Sequence, residues 1–207
     1  ALFISQYKKN DKFFKTIFPI TIRPQGKDIV RTWLYYTLLK CLHLTSKPAF
    51  KKVWIMGLGV DEKGERMSKS KGNVIDPIPI LEKYGADSFR FWAASEVSLG
   101  SDFRCSEQRI QNASKFINKL KNIAKFISSF KQTQKGNKKL ETKMLNQKLK
   151  PLDEWALFEL NETIGRCLKG YKELNFFIPS NALRNFLWNI FADHYIELVK
   201  TREYKQD

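Results

Sequence analysis

The spacing of apolar residues along this chain changes character near residue 105. Before that point, short β-branched runs flank a single helical stripe. "FPITIR" (18–23) predicts a strand, and "PQGKD" after it predicts a turn. Ile29, Val30, Trp33, Leu34, Leu38, Cys41 and Leu42 recur at helical spacing across 28–44, and Asp28 stands where an N-cap or first-turn acid belongs. "KKVWIMGLGVD" (51–61) predicts a buried strand, with "DEKG" (61–64) turning the chain behind it. Asp76 and Pro77 predict a capped helix start, Gly85 its end, and "ADSFRFWAAS" (86–95) a second short helix. Strand, turn, helix and strand in this order predict an α/β piece with parallel strands.

From Ser106 onward the pattern is helical throughout. Ile110, Ala113, Ile117, Leu120, Ala124 and Ile127 form one stripe, and Leu157, Leu160, Ile164, Cys167, Tyr171 and Leu174 a second. A third begins behind Pro179, with Ser180 as the expected N-cap. It continues through Leu183, Phe186, Leu187, Ile190, Phe191 and Leu198. Three helices with single apolar faces bury them against one another, so a helical bundle is expected. The Lys-rich stretch 131–150 has hardly any apolar content and is expected to be a mobile linker or loop.

Charge adds a partner class. The chain carries a formal net charge of +16, divided as +8 before residue 106 and +8 after it. A positive field spread over both parts concentrates polyanions, nucleic acid foremost, unless the lysines serve only for solubility. The three cysteines (Cys41, Cys105, Cys167) and two histidines (His43, His194) are too scattered for a Cys/His zinc site. Cys41 and Cys167 fall on apolar helical faces and are expected in the core, and neither histidine is expected to be catalytic. No signal segment or membrane-spanning run is visible, so a cytoplasmic protein with no membrane partner is expected. The abrupt apolar start reads as a piece cut from something larger.

The stretch "DEKGERMSKSKGNVIDP" (61–77) carries the chemistry. Ser68 and Ser70 offer hydroxyls without bulk, Lys69 a mobile point charge, and Gly72 a turn on the way out. These side chains suit an anionic ligand such as phosphate, or simply a solvated basic loop. The glycines do not precede the lysine, so this is not the P-loop pattern.

"RMSKS" followed by "KGNVIDP" resembles the KMSKS signature of class I aminoacyl-tRNA synthetases, and "GADSFRFW" resembles the segment leading into their anticodon-binding domain. The resemblance covers almost the whole chain and is closest to the valyl type, in its archaeal-type branch. It rests there on "RPQGKDIVRTW" (23–33), "AASEVSLGSDFR" (93–104) and "HYIELVKTREY" (194–204). Arg66 stands where the signature has lysine, and Lys27 where valyl enzymes often carry histidine. The companion signature H-I-G-H does not occur in the sequence.

The resemblance implies the C-terminal part of a Rossmann-type catalytic domain (1–105), then a helical-bundle anticodon-binding domain (106–207). In the whole enzyme, ATP with Mg2+ would activate valine for transfer to tRNA(Val). Lys69 would stabilise the leaving pyrophosphate, helped by Arg66, Met67, Ser68 and Ser70. Gly26 and Asp28 would meet the ribose, Gly57 and Leu58 the adenine. Trp33 would line the amino-acid pocket or belong to the core. Arg166, Lys169, Arg184 and Lys200 would meet tRNA phosphates, and Trp188 would stack on a base or fill the bundle core. No DNA partner and a monomer are expected. The missing half of the catalytic domain would leave this piece inactive alone. The competing expectations are an isoleucyl-type fragment, a stand-alone tRNA-binding module, and a Lys-rich helical interaction domain without RNA.

Overall fold

The α/β rhythm folds as one strand–helix–strand unit with parallel strands. The computed structural model describes residues 2, 5–129 and 149–205, with side chains to residue 202. The Lys-rich linker is outside these residues except at its last two positions. Packing divides the chain into two units: residues 1–75 with 96–106, and residues 76–95 with 107–207. The expected boundary at 105 therefore differs from the packing boundary, because helices 77–84 and 86–96 bury Ile80 and Trp92 in the helical unit.

In the first unit, helix α1 (Asp11–Ile17) is capped by Asn10, whose side chain accepts from the Phe13 N–H. Strand β1 (Ile20–Gly26) pairs in parallel with β2 (Phe50–Met56), in a register that sets Ile20 against Phe50 and Gly26 against Met56. β1 runs straight through the expected turn at Pro24. Among the described residues β1 pairs with β2 alone, and such an edge tolerates a residue with no N–H to donate. Between the strands lie a 3-10 turn (Lys27–Ile29), a π-helical turn (Val30–Leu34) and helix α2 (Tyr35–Thr45). The π turn re-phases the apolar face. Leu34 and Cys41 are buried with Phe18, Ala49 and Phe50, Val30 and Leu38 pack against them, and Trp33 and Leu42 point outward. A second parallel pair, β3 (Gly59–Val60) and β4 (Phe103–Arg104), follows beyond Gly57.

The helical unit comprises α3 (Pro77–Tyr84), α4 (Ala86–Glu96), α5 (Glu107–Ser129), α6 (Pro151–Lys172) and α7 (Phe177–Asn185). A π-helical segment (Phe186–Ile196) then runs on into α8 (Glu197–Lys205). Asp76 caps α3 by accepting from the Ile78 N–H at 3.0 Å, with Pro77 first in the helix and Gly85 at its close, as the sequence predicts. Other details differ. On α5 the predicted stripe holds at its start, where Ile110 and Ala113 are buried, but Phe116 takes the next core position, while Leu120 and Ile127 are exposed. Phe116 stacks on Phe91 and Trp188, with ring centroids 4.6 and 6.4 Å away. On α6 the buried line is Ala156, Thr163, Cys167 and Gly170, and Leu157, Ile164 and Tyr171 are exposed. Small residues win that face because the neighbour comes close. A Cβ on Gly170 would lie 2.6 Å from the Pro179 ring. Pro179 is itself inside α7, which starts at Phe177 rather than at a Ser180 cap. It occupies the first turn, where a missing N–H leaves no intrahelical bond unmade.

All three cysteines are free and buried, and burial pushes each thiol up from its ordinary range. Among the described residues no helix is long and apolar enough to cross a membrane.

Asp153 ties α6 to α8. Both of its carboxylate oxygens accept from the single Arg202 Nη1, at 2.9 and 3.1 Å, and Oδ1 also accepts from the Tyr195 hydroxyl at 3.1 Å. Burial pushes this carboxyl upward, but Arg202 and Tyr195 outweigh that and hold it below the usual range. A depressed carboxylate stabilises the fold above its unfolded value of about 3.9 and loses that contribution as pH falls through the lower folded value. D153N is therefore expected to cost about 1–2 kcal/mol at pH 7 and to flatten the acid limb of unfolding below about pH 4. Circular dichroism across pH 2–7, about the range concerned, reads both effects.

Candidate functional site

The register that sets Gly26 against Met56 brings the carboxyl ends of β1 and β2 together. That edge of a parallel sheet is where ligands bind in open α/β folds. Lys27 and Asp28 follow β1, and Gly57 and Leu58 follow β2. Asp28 caps neither of the turns around it. Its carboxylate instead meets Arg66 Nη2 at 2.8 Å. Gly57 is buried, and a Cβ there would fall 1.9 Å from the Ser101 carbonyl oxygen. Only glycine lets the segment 99–102 lie against it.

The 61–77 loop is a stapled hairpin. Val60 bridges Arg66, the Asp61 N–H donates to Glu65 O at 2.9 Å, and Gly64 takes the tip at φ +84. At its base Asp61 accepts from the Lys63 and Glu65 N–H groups and from the Asn73 side-chain amide at 2.9 Å. The Asn73 amide is the leading cause that holds the Asp61 carboxyl below its ordinary range, the Glu65 N–H the next. Asn73 also accepts from the Ser68 N–H at 2.9 Å, which fixes where the Met-Ser-Lys-Ser run begins. Ser68 caps a 3-10 turn (Lys69–Lys71), its hydroxyl lies 3.2 Å from that of Ser70, and Gly72 ends the turn at φ +67. Met67 packs over Gly59, its Cε 2.8 Å from where a Cβ would stand.

The cations at 66, 69 and 71 are unequal. Arg66 is paired with Asp28, and Lys71 with Glu65 at 2.9 Å. Lys69 has no side-chain partner among the described residues. Of the loop's two uncommitted ammonium groups, Lys63 stands in the Asp61–Glu65 turn and Lys69 between the Ser68 and Ser70 hydroxyls, and only the second has the donors beside it that a phosphate oxygen would take.

Trp33 is 41% exposed, so it is not a core residue. The Arg23 guanidinium lies 3.9 Å over its ring, and the ring runs nearly parallel to Phe50 at 6.4 Å.

In the helical unit the four basic candidates are not one cluster. Arg166 and Lys169 are exposed on α6, and Arg184 on α7 donates to the Asn181 side chain at 3.2 Å. Lys200 alone of the four lines a cavity of about 280 Å³, together with Lys119, Asn122, Phe126 and Asp193. Its ammonium lies 5.7 Å over the Phe126 ring and 2.5 Å from Glu197. Trp188 stacks on Phe116 and carries the Lys119 ammonium 4.4 Å over its ring, which places it in the aromatic packing of the bundle. Sequence periodicity missed Lys119, Asn122 and Phe126, because they lie on the face assigned to solvent. Asn73 and Asp102 were missed because their partners are non-local; Asn73 was legible only as one letter of "KGNVIDP".

Comparison with known proteins finds two families along the chain. Residues 3–106 match the family described as tRNA synthetases class I (I, L, M and V), and residues 153–207 match the anticodon-binding domain of tRNA ligase. The valine–tRNA ligase of Aeropyrum pernix is 43% identical over 205 residues, 99% of this chain and 24% of that protein. That of Nanoarchaeum equitans is 44% identical over 187 residues, 90% of this chain and 23% of that protein. The chain thus spans about a quarter of the length of the curated relatives it matches. In fold it is similar to a Mycobacterium tuberculosis methionyl-tRNA synthetase in complex with methionyl-adenylate, with TM-score 0.73 and 22% identity over 96% of this chain and 38% of that one. It is also similar to an Agrobacterium radiobacter leucyl-tRNA synthetase in a ternary complex with tRNA, with TM-score 0.67 and 16% identity over 90% of this chain and 25% of that one.

Proposed function

We propose, on the premise that this chain belongs to the class I tRNA synthetases, that it supplies the phosphate-binding loop and part of the tRNA grip of a valine–tRNA ligase. The longer protein would activate valine with ATP in the cytoplasm and pass it to tRNA(Val). The observation that carries the reading is the Lys69 ammonium, set between Ser68 and Ser70 and without a side-chain partner among the described residues, while Arg66 and Lys71 on either side of that run are paired. Negative charge grows on the departing pyrophosphate during adenylate formation, and a cation aimed there stabilises the transition state more than the ground state. Ser68 and Ser70 would donate to the same oxygens, and Met67 on Gly59 would hold the strand behind them. Asp28 would accept the ribose hydroxyls once Arg66 lets it go, and the Gly26 backbone leaves room for the sugar. Gly57 and Leu58 would face the adenine, and Trp33 would border the amino-acid pocket. Mg2+ would arrive as a companion of the ATP phosphates.

The cavity in the helical unit supports the tRNA half of the reading. Its size and its lining by an aromatic ring and a side-chain amide suit an unstacked base, and its two lysines, each paired with an acid of the same lining (Lys119 with Asp193, Lys200 with Glu197), would have to exchange that partner to meet a phosphate. Arg166, Lys169 and Arg184 would touch the backbone more loosely. Binding of a tRNA(Val) transcript to the full-length protein, titrated across salt, tests this. Affinity is expected to fall steeply with salt, and F126A to weaken binding about tenfold. A salt-independent affinity, or equal affinity for a tRNA(Ile) transcript, would contradict it.

A further inference from the structure

A carboxylate in the segment 99–105, which periodicity leaves without a role, joins the two strand ends that carry the nucleotide site. Asp102 Oδ1 accepts from the Leu58 backbone N–H at 2.7 Å and lies 2.6 Å from the Lys27 ammonium. Leu58 follows β2, and Lys27 follows β1 between Gly26 and Asp28. Its neighbours bind the same edge. The Gly100 N–H donates to Ile55 O at 3.1 Å, the Phe103 N–H to Leu58 O at 3.0 Å, and Ser101 sits against Gly57. Leu58 is thus held on both its N–H and its carbonyl by consecutive residues, 102 and 103, of one remote segment.

We infer that Asp102 is a positioning residue for nucleotide binding: it fixes the Leu58 backbone at the end of β2, where the adenine must dock, and ties it loosely to Lys27 at the end of β1. The inference rests on the reading of Gly26, Asp28, Gly57 and Leu58 as the adenosine site. The charge pair with Lys27 is a minor part, because both side chains are 39% exposed and water screens them. The larger part is the bond to Leu58, a backbone donor meeting an ionised acceptor. In keeping with that order, the Leu58 N–H is the leading cause that holds the Asp102 carboxyl below its ordinary range, and Lys27 the next.

Steady-state ATP–pyrophosphate exchange by the full-length protein tests this, with ATP and valine varied separately. D102A is expected to raise the KM for ATP about tenfold and leave the KM for valine within about twofold. D102N keeps an oxygen for the Leu58 N–H and loses only the charge, so it is expected to recover most of that loss. K27M, on the surface and safe for folding, is expected to raise the KM for ATP about twofold. A purely structural role would lower the active fraction, and with it kcat, while the KM for ATP stayed put. That outcome in D102N and K27M, or a D102N as impaired as D102A, overturns the inference. Wild-type protein that performs no exchange overturns the underlying reading instead, and the two failures are distinct.

Discussion

K69A in the full-length protein is expected to slow valine-dependent ATP–pyrophosphate exchange by about a hundred- to a thousandfold, the usual consequence of removing one preorganised donor from a developing oxyanion. The loss is expected in kcat, because the ammonium meets charge that appears only as the pyrophosphate departs. The KM for ATP moves little by comparison. Arginine at 69 restores the charge but not the compact, rotatable donor, so K69R is expected to recover only part of the rate. The neighbouring lysine is the internal control. Lys71 is committed to Glu65, and K71A is expected to cost less than about tenfold. Stopped assays with labelled pyrophosphate separate these values. If K69A and K71A fall equally, the loop presents diffuse positive charge and no aimed donor.

Replacing Gly57 with alanine is expected to cost about 3 kcal/mol, at the upper end for overpacking. The added Cβ would meet backbone on every near side: Ser101 O at 1.9 Å, Ser101 C at 2.2 Å and Asp102 N at 2.6 Å. No side chain there can rotate away, so the 99–105 segment must separate from Leu58 and give up the bonds from the Phe103 N–H and to Asp102. Nucleotide binding is expected to weaken with them. Gly165 is the contrast. A Cβ there meets nothing within 4 Å, and the residue is exposed in α6, so G165A is expected to stabilise by about 0.5–1 kcal/mol. Urea midpoints followed by tryptophan fluorescence give both signs in one experiment.

What was legible in the sequence was what depends on near neighbours. Asp76, Pro77 and Gly85 bound a helix through bonds that reach only a few residues, and the sequence names them correctly. The Met-Ser-Lys-Ser run is contiguous, so its chemistry can be read letter by letter. Periodicity failed where two faces of a helix are both apolar. On α5 the choice of Phe116 over Leu120 for the core is made by Phe91 and Trp188, far away in sequence. On α6 it is made by how closely Pro179 approaches Gly170. The same limit hid the site's supports. Asp102 lies 44 positions from Leu58, and no local pattern links them. Asp28 looked like a cap because an acid before an apolar stripe commonly is one, yet Arg66 claims it across 38 positions.

The central claim is that Lys69 serves valine activation in a longer enzyme. Amino-acid-dependent ATP–pyrophosphate exchange by the full-length protein tests it most directly, with valine and isoleucine compared for wild type and K69A. Exchange that valine supports, that isoleucine supports at least about tenfold less well, and that K69A nearly abolishes is the expected result. Exchange with isoleucine in preference to valine, or valine-dependent exchange that K69A leaves intact, would contradict the account.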